Sequence, residues 1–532
     1  LSLLVMLCLP QKVMSFDIKV LSKNLNVNGY ISQSLGICFA QPEDWHPVSN
    51  YTQIRLEAGM SLTDHTNIYG IFEFTADSIY NMRNDSGEFK KYMPGRKYMQ
   101  TSVEQYDQWG ELVKEFYVDI AAGKVDFRLG KQSIIWGESD GIRLLDQINP
   151  LDIRREFVMW DFENILVPKW MVKAEYYPGF ENKSLKDLSL EMVWNPGDIQ
   201  ESRIGFASQG TLRGLPYAGP WGYPQAFIPK PIVDGVLSVE KKSTSIDNSE
   251  FGCRLKGSIG KTYLTLNYFQ GFSHDFVCKY TKSDILDPMG NTLMTIPVGP
   301  VAPDFSLFAP GGPFEGLSVR AHLDGIYRRV RFVGFSINRD LSDFILWQQT
   351  SPVLRVEALY SFAQSFNTGG DRLTDLAWVT TKGIVKKDQL RFMVGFDWQV
   401  WCRFLNDHKT FFISPQFLQF RVIDHDTELV QLPYYFNKYG QIDPWKIPEV
   451  QNYFTILVNT GYDNDRILPE ALWCHDFYNN AQFIKARVSF SYGDHWRPEI
   501  GVHYFTGDTE TYKSFGAYDD RDQIYIKIKY QF

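Results

Sequence analysis

The chain closes on a strict two-residue alternation. Ile524, Ile526, Ile528, Tyr530 and Phe532 interleave with Tyr525, Lys527, Lys529 and Gln531. A period of two puts one set on each face of a β-strand, here one apolar face and one wet face. Runs of about ten residues with the same period, bounded by turn residues, recur along the whole chain. They fall near 25–37, 51–62, 66–78, 112–122, 125–136, 166–177, 186–195, 249–258 and 261–271. The second half supplies 324–338, 352–363, 387–400, 409–422, 452–462, 466–476, 481–492, 496–506 and 522–532.

The connections between these eighteen runs alternate in length. Thr63–His65, Gly123-Lys124, Ile259-Gly260, Asp463–Asp465 and Gly493–His495 are short, whereas 79–111, 137–165, 196–248, 272–323, 364–386 and 423–451 are long. A soluble sandwich has no reason to gather its long loops at one end. A transmembrane antiparallel β-barrel of the bacterial outer membrane does, with short periplasmic turns and long extracellular loops. An even count also returns both termini to the periplasmic side. The count depends on the run at 466–476, and sixteen strands is the alternative.

Alternation also sorts residues by face. Leu354, Val356, Ala358, Tyr360 and Phe362 would meet lipid, with Arg355 and Glu357 inward. Leu390, Phe392, Val394, Phe396 and Trp398 repeat the pattern opposite Arg391 and Asp397, and Trp170, Val172, Ala174 and Tyr176 do so opposite Lys173 and Glu175. Gln482, Ile484, Ala486, Val488 and Phe490 face out with Lys485 and Arg487 inward, and Arg329 and Arg331 are assigned to the lumen as well. A charge in the hydrocarbon midplane costs ~2–4 kcal/mol, so charges of both signs on one face imply a wet or ion-paired interior.

Composition agrees. Aromatic residues make up 15 % of the 532 residues, and no apolar stretch is long enough for a membrane helix. The net charge of −8 lacks the basic face expected of a nucleic-acid binder. Residues 1–15 look like the end of a secretory signal, with an apolar Leu1–Pro10 and cleavage before Phe16, which leaves 16–532 as one barrel domain. Cys8 follows Val5-Met6-Leu7, not the small residue that lipidation requires. The remaining cysteines, Cys38, Cys253, Cys278, Cys402 and Cys474, are odd in number and widely spaced, so neither complete pairing nor a metal knuckle is expected, and one disulfide is left open.

Residues 128–157 carry a Gly-Lys-Gln, Trp-Gly-Glu, Ile-Asn-Pro-x-Asp succession: Gly130, Lys131, Gln132, Trp136, Gly137, Glu138, Ile148, Asn149, Pro150 and Asp152. This resembles a large family of proteobacterial outer-membrane proteins known only as a domain of unknown function, and the segment from Leu457 through the Asp463–Arg466 turn to Phe532 is similar to that family's last strands. The resemblance covers about a quarter of the chain. It implies uptake or export of hydrophobic small molecules, steroids and lipids among them, often beside inner-membrane pumps of the resistance-nodulation-division type.

The motif leaves a strand at Trp136-Gly137 and enters a polar loop. Asn149-Pro150 initiates a turn, and Asp152 is placed to cap a helical turn over Ile153-Arg154-Arg155-Glu156. Asp140, Arg143, Asp146, Asp152, Arg154 and Arg155 form a balanced charge set that, with Asn149, would pin the loop across the lumen as a constriction. The alternative is a loop that braces the wall without touching solute. The Pro- and aromatic-rich stretches Gly214–Ile232 and Met289–Leu317 mark the loops 196–248 and 272–323 as further infolded elements, packed on neighbours or plugging the lumen, or else receiving an apolar solute.

No GxSxG, HExxH, P-loop or EF-hand spacing occurs, and His503 shares its face with Glu499, not with a lipid-facing serine. The expectation is a channel or transporter for small hydrophobic or amphipathic solutes, with no catalysis, metal or cofactor. Its partners would be the lipid bilayer and lipopolysaccharide, the outer-membrane assembly machinery reading Tyr530 and Phe532, and a periplasmic or inner-membrane transport partner. Two other readings stand beside it: a porin-like sheath around an electron-transfer cytochrome, and a secreted β-rich binding protein.

Overall fold

The computed structural model describes residues 16–20, 23–39, 45–78, 112–152, 164–179, 185–200, 202, 232–239, 243–274, 276–297, 311–343, 351–369, 383–431, 443–508 and 513–532. Eighteen antiparallel strands close into a barrel within a sheet of 20 strands, the other two being the short Phe16–Val20 and Leu429–Val430. The first nine are β1 (Lys23–Cys38), β2 (His46–Thr63), β3 (Thr66–Asp77), β4 (Val113–Ala122), β5 (Val125–Gln132), β6 (Lys169–Tyr176), β7 (Leu185–Asn195), β8 (Glu250–Ile259) and β9 (Thr262–Phe272). The rest are β10 (Arg329–Asp340), β11 (Val353–Thr368), β12 (Ile384–Val400), β13 (Phe411–Val422), β14 (Val450–Asn459), β15 (Ile467–Asp476), β16 (Ala481–Phe490), β17 (Trp496–Thr506) and β18 (Gln523–Gln531). Each pairs with the next, and β18 closes on β1 from Tyr30↔Gln531 to Cys38↔Gln523. The backbone of Phe532 extends this seam by exchanging hydrogen bonds of 2.9 and 3.0 Å with Gly29.

The run at 466–476 is a full strand, paired on both edges, so the count is eighteen and not sixteen. Short turns gather at one rim because the sequence there tolerates left-handed backbone: Gly123, Gly260, Gly493 and the Asp463–Asp465 turn all have positive φ. The other rim carries the long loops, with short connections at 39–45 between β1 and β2 and at 477–480 between β15 and β16.

Exposure follows the two-residue period. On β11, Arg355, Glu357, Leu359 and Ser361 are buried inside the barrel, while Phe362 and, on β12, Val394 are exposed outside. β10 departs from the expected facing: Val330 and Phe332 are the buried, inward residues, so Arg329 and Arg331 lie on the outer face with Val333 and Phe335. The assignment to the lumen fails because the two arginines share their face with the exposed Val333 and Phe335, while Val330 and Phe332 pack inside. Ladder pairing fixes the register, with Phe332 opposite Phe269.

Most of the described residues of 272–323 fold apart from the infolded core described below. Val277–Leu286, Thr292–Pro297 and Ser318–Ile326 build a separate four-stranded sheet with Ile232–Val239, docked on β11 where Asn367 exchanges hydrogen bonds with the Cys278 backbone. Residues 1–15 and most of Gly214–Ile232 lie outside the described residues. The five cysteines after residue 15 are all free thiols.

Candidate functional site: a loop across the barrel lumen

From the end of β5 the chain turns into the barrel. Ile134 and Trp136 pack against inward residues of β6 and β7, Met171 and Val193, and the Trp136 indole N–H donates to Glu191 at 2.7 Å. Beyond Gly137 the loop reaches the far wall. Glu138 accepts from Asn338 of β10 at 2.5 Å, and its backbone N–H donates to Glu357 of β11. Asp140 pairs with Arg355 at 2.8 Å and accepts from Gln416 of β13, and Gly141 approaches Leu472 of β15. The chain then returns. Leu144, Leu145 and Ile148 are almost wholly buried against Phe269, Phe332, Leu359, Met393 and Leu418, inward residues of five successive strands from β9 to β13.

Two polar residues staple the outgoing arm to the returning arm. Asp146 Oδ1 accepts from the Trp136 and Gly137 N–H groups at 2.6 and 2.8 Å. Asn149 accepts from Ile134 N–H at 2.8 Å and donates to Val167 O at 2.9 Å. Burial pushes the Asp146 carboxyl up, against the hydrogen bonds from Gly137 and Trp136 and the nearby Arg143 and Arg254. Beside the loop, burial holds the His274 imidazole well below its usual range, and Lys169 and Arg143 add to the effect.

Magnitudes decide what holds the loop. Full burial of an aliphatic side chain is worth ~1.5–3 kcal/mol, so three such residues outweigh a partly buried ion pair, whose attraction is largely offset by desolvation. The loop is an apolar plug with a polar latch. That latch is Arg355, which also pairs with Asp397 at 2.7 Å and donates to Ser414 at 2.8 Å.

A second segment joins from the same rim. Residues Ser514–Arg521 form a 3-10 turn whose Phe515 meets Phe483 at 4.8 Å between ring centroids and whose Tyr518 meets Phe505 at 5.7 Å. Ile142 of the plug packs against both apolar clusters, so the two segments are continuous.

The rest of the inner wall is mixed, with paired charges and tyrosines beside the apolar Leu472, Phe483 and Phe505. On β2–β5, Arg55 pairs with Glu57 at 2.8 Å, Tyr69 donates to Glu57 at 2.8 Å, and Arg128 binds Asp119 while lying 3.9 Å from the Tyr117 ring centroid. On β15–β18, Arg487 bridges Glu470 and Glu499, and Tyr525 donates to Glu499 at 2.9 Å.

Of the residues singled out in the sequence, Asp140, Arg355, Glu357 and Asp397 meet at the latch. Arg143 donates within its own loop to Asn149 O and lies 3.4 Å from His274, in the β9–β10 connection. Asp152 sits in an extended bridge, its N–H donating to Ile165 O at 2.7 Å, and Arg154 and Arg155 with the proposed helical turn fall outside the described residues. Lys173 and Glu175 share one inner row, Glu175 pairing with Lys256 at 2.5 Å, and Arg391 lies over the Phe420 ring. Lys485 is fully buried on the inner face of β16. Tyr530 packs between His495 and Trp496. Leu144, Leu145, Ile148 and Phe515 were missed. Their signal was present as apolar residues set in otherwise polar loops.

Among curated proteins none matches this sequence. Solved structures with a similar layout include OccK8 (OprE) of Pseudomonas aeruginosa, at TM-score 0.46 and 7 % identity over 96 % of this chain and 98 % of that chain. Others are OccAB1 of Acinetobacter baumannii, at TM-score 0.43 and 10 % identity over 95 % and 96 %, and Salmonella typhi OmpF in complex with daunomycin, at TM-score 0.39 and 10 % identity over 97 % and 100 %. The model of the family described as protein of unknown function, DUF1302, matches residues 40–532, and the chain belongs to that family.

Proposed function

We propose that this barrel is a channel of the Gram-negative outer membrane that passes small hydrophobic or amphipathic solutes past an infolded plug. The observation that carries the reading is the division of the inner wall. From β9 to β13 it presents large apolar residues to the plug, whereas β2–β5 present tyrosines and paired charges, and β15–β18 do so beside Leu472, Phe483 and Phe505. A solute moving between plug and polar arc would find an apolar side and a hydrogen-bonding side, which suits an amphipath better than a hydrated ion. A cytochrome sheath would need an unobstructed lumen, and the plug stands in that space. Tyr530 and Phe532 would be read by the assembly machinery, and delivery through a periplasmic or inner-membrane transport partner suits solutes of low aqueous solubility.

The test is flux into liposomes carrying the purified barrel. Amphipathic solutes should enter faster than sugars of equal size, and weakening the plug should erase the difference by admitting both. Equal rates for both classes in the parent protein would refute the solute preference.

A further inference from the structure

The outer face of β10 reads Arg329, Arg331, Val333, Phe335, Ile337, Arg339. Arg331 and Arg339 are separated by about 26 Å along the strand, at ~3.3 Å per residue. A tilt of ~40° reduces this to roughly 20 Å of depth, close to the ~25 Å apolar band of an outer-membrane barrel once arginine stems reach outward. The arginines therefore bracket the apolar band. Arg339, toward the short-turn rim, is engaged within the protein: it donates to Thr262 at 3.1 Å and pairs with Asp343.

At the long-loop rim the situation differs. Arg329 ties down the neighbouring loop through Ser249 O and Asp247 O and lies over the Phe272 ring. Arg331 has no hydrogen-bond or ion-pair partner among the described residues, and its guanidinium lies 6.0 Å from the Phe362 ring. Gln270 stands opposite it in the ladder, with its carbonyl oxygen taken by the Tyr268 hydroxyl at 3.1 Å. Beneath this pair of donors the outer face is apolar and open: Val333, Phe335 and Leu266 are 39 %, 40 % and 60 % exposed.

Donors aimed outward at the boundary, directly above exposed apolar side chains, fit a molecule with an anionic head and acyl chains. We propose that Arg331, flanked by Gln270 and Arg329, binds the phosphate of an outer-leaflet glycolipid, with the acyl chains lying on Val333, Phe335 and Leu266. Guanidinium suits this task because its planar fork engages two phosphate oxygens at once. Free phosphate would use the same donors but not the apolar surface beneath them, so the site is assigned to the lipid. The proposal rests on the reading that the barrel spans a membrane.

Native mass spectrometry of the detergent-solubilised barrel tests it, with a phosphorylated glycolipid, its dephosphorylated form with the same acyl chains, and inorganic phosphate as separate probes. The parent should retain the phosphorylated form and bind the dephosphorylated form at least tenfold more weakly. Arg331→Gln should require at least tenfold more phosphorylated glycolipid for equal occupancy, and Arg331→Lys should fall between. Millimolar inorganic phosphate should leave the bound fraction unchanged. Equal retention by parent and Arg331→Gln, indifference to the lipid phosphate, or displacement by inorganic phosphate would each overturn the assignment. Heat-modifiable migration of both proteins separates these outcomes from a barrel that never inserts, which would instead sink the membrane reading.

Discussion

Leu145 occupies the space that Gly334 leaves on the inner wall of β10: a β carbon on that glycine would stand 2.5 Å from Leu145 Cδ2. Gly252 of β8 plays the same part for Trp136, at 2.8 Å. Wall and plug are thus shaped to each other, and side-chain volume in the wall controls how the plug sits.

Gly334→Val should leave the barrel able to insert but push the plug out of place. Overpacking of this kind costs about 1–3 kcal/mol, enough to raise the open population without unfolding the barrel. Planar-bilayer recording should show a larger or noisier current than the parent. Adding Leu145→Ala to the same chain should quieten it in part, because it removes the collision with the plug while the Ala358 carbonyl oxygen, 2.8 Å from the new β carbon, still crowds the wall.

The latch should depend far more on Arg355 than on Arg143. Arg355→Gln strips Asp140 and Asp397 of their common partner, and such uncompensated groups cost about 3–5 kcal/mol when buried, less at the partial exposure seen here. Arg143→Gln loses contacts with Asn149 O and His274, neither of them on β11. Frequent opening is expected from the first and near-parental current from the second. The reverse order of effects would show that the loop's own folding, not its hold on β11, keeps the lumen narrow.

Facing can be checked on one strand. Val394 is 42 % exposed on the outer face of β12, and Arg391 lies on the inner row with Gln389 and Met393. Val394→Arg places a charge where it costs ~2–4 kcal/mol and should impair insertion. Arg391→Glu should insert and alter ion selectivity. Insertion yields read from heat-modifiable migration decide between them, and equal yields would place β12 one residue out of register.

Acidification should loosen the plug through His274. The folded imidazole titrates well below an ordinary histidine because of burial, with Lys169 and Arg143 adding to the shift. Its contribution is therefore present above the unfolded value of ~6.5 and is lost as pH falls from there toward the folded value. Thermal unfolding between pH 8 and pH 5 should show the parent losing stability on acidification more steeply than His274→Gln. Parallel pH profiles for the two proteins would remove His274 from the account.

Much of the fold was legible because a barrel strand writes its two faces into the sequence at a fixed period, which is why Arg355, Glu357 and Asp397 were placed inward. Arg329 and Arg331 were misplaced for a physical reason. The lumen here is not uniformly wet, so at the start of β10 Val330 and Phe332 face inward while Arg329 and Arg331 face out beside Val333 and Phe335, and polarity at that end of the strand misleads. The loop motif pointed to the right segment, but its charges drew attention from Leu144, Leu145 and Ile148, whose burial depends on contacts with strands more than a hundred residues away. The inward fold of Ser514–Arg521 was hidden for another reason, since the two-residue period that marks strands says nothing of how a connecting loop such as that of Phe515 packs on Phe483.

The most direct test of the central claim, that residues between β5 and β6 narrow the lumen, is the single-channel conductance of a barrel in which Glu138–Gln147 is replaced by a short Gly-Ser linker. The account predicts normal insertion, a conductance several-fold above the parent, and passage of bulkier solutes. Normal insertion with unchanged conductance and unchanged solute exclusion would contradict it, leaving the loop as a brace for the wall.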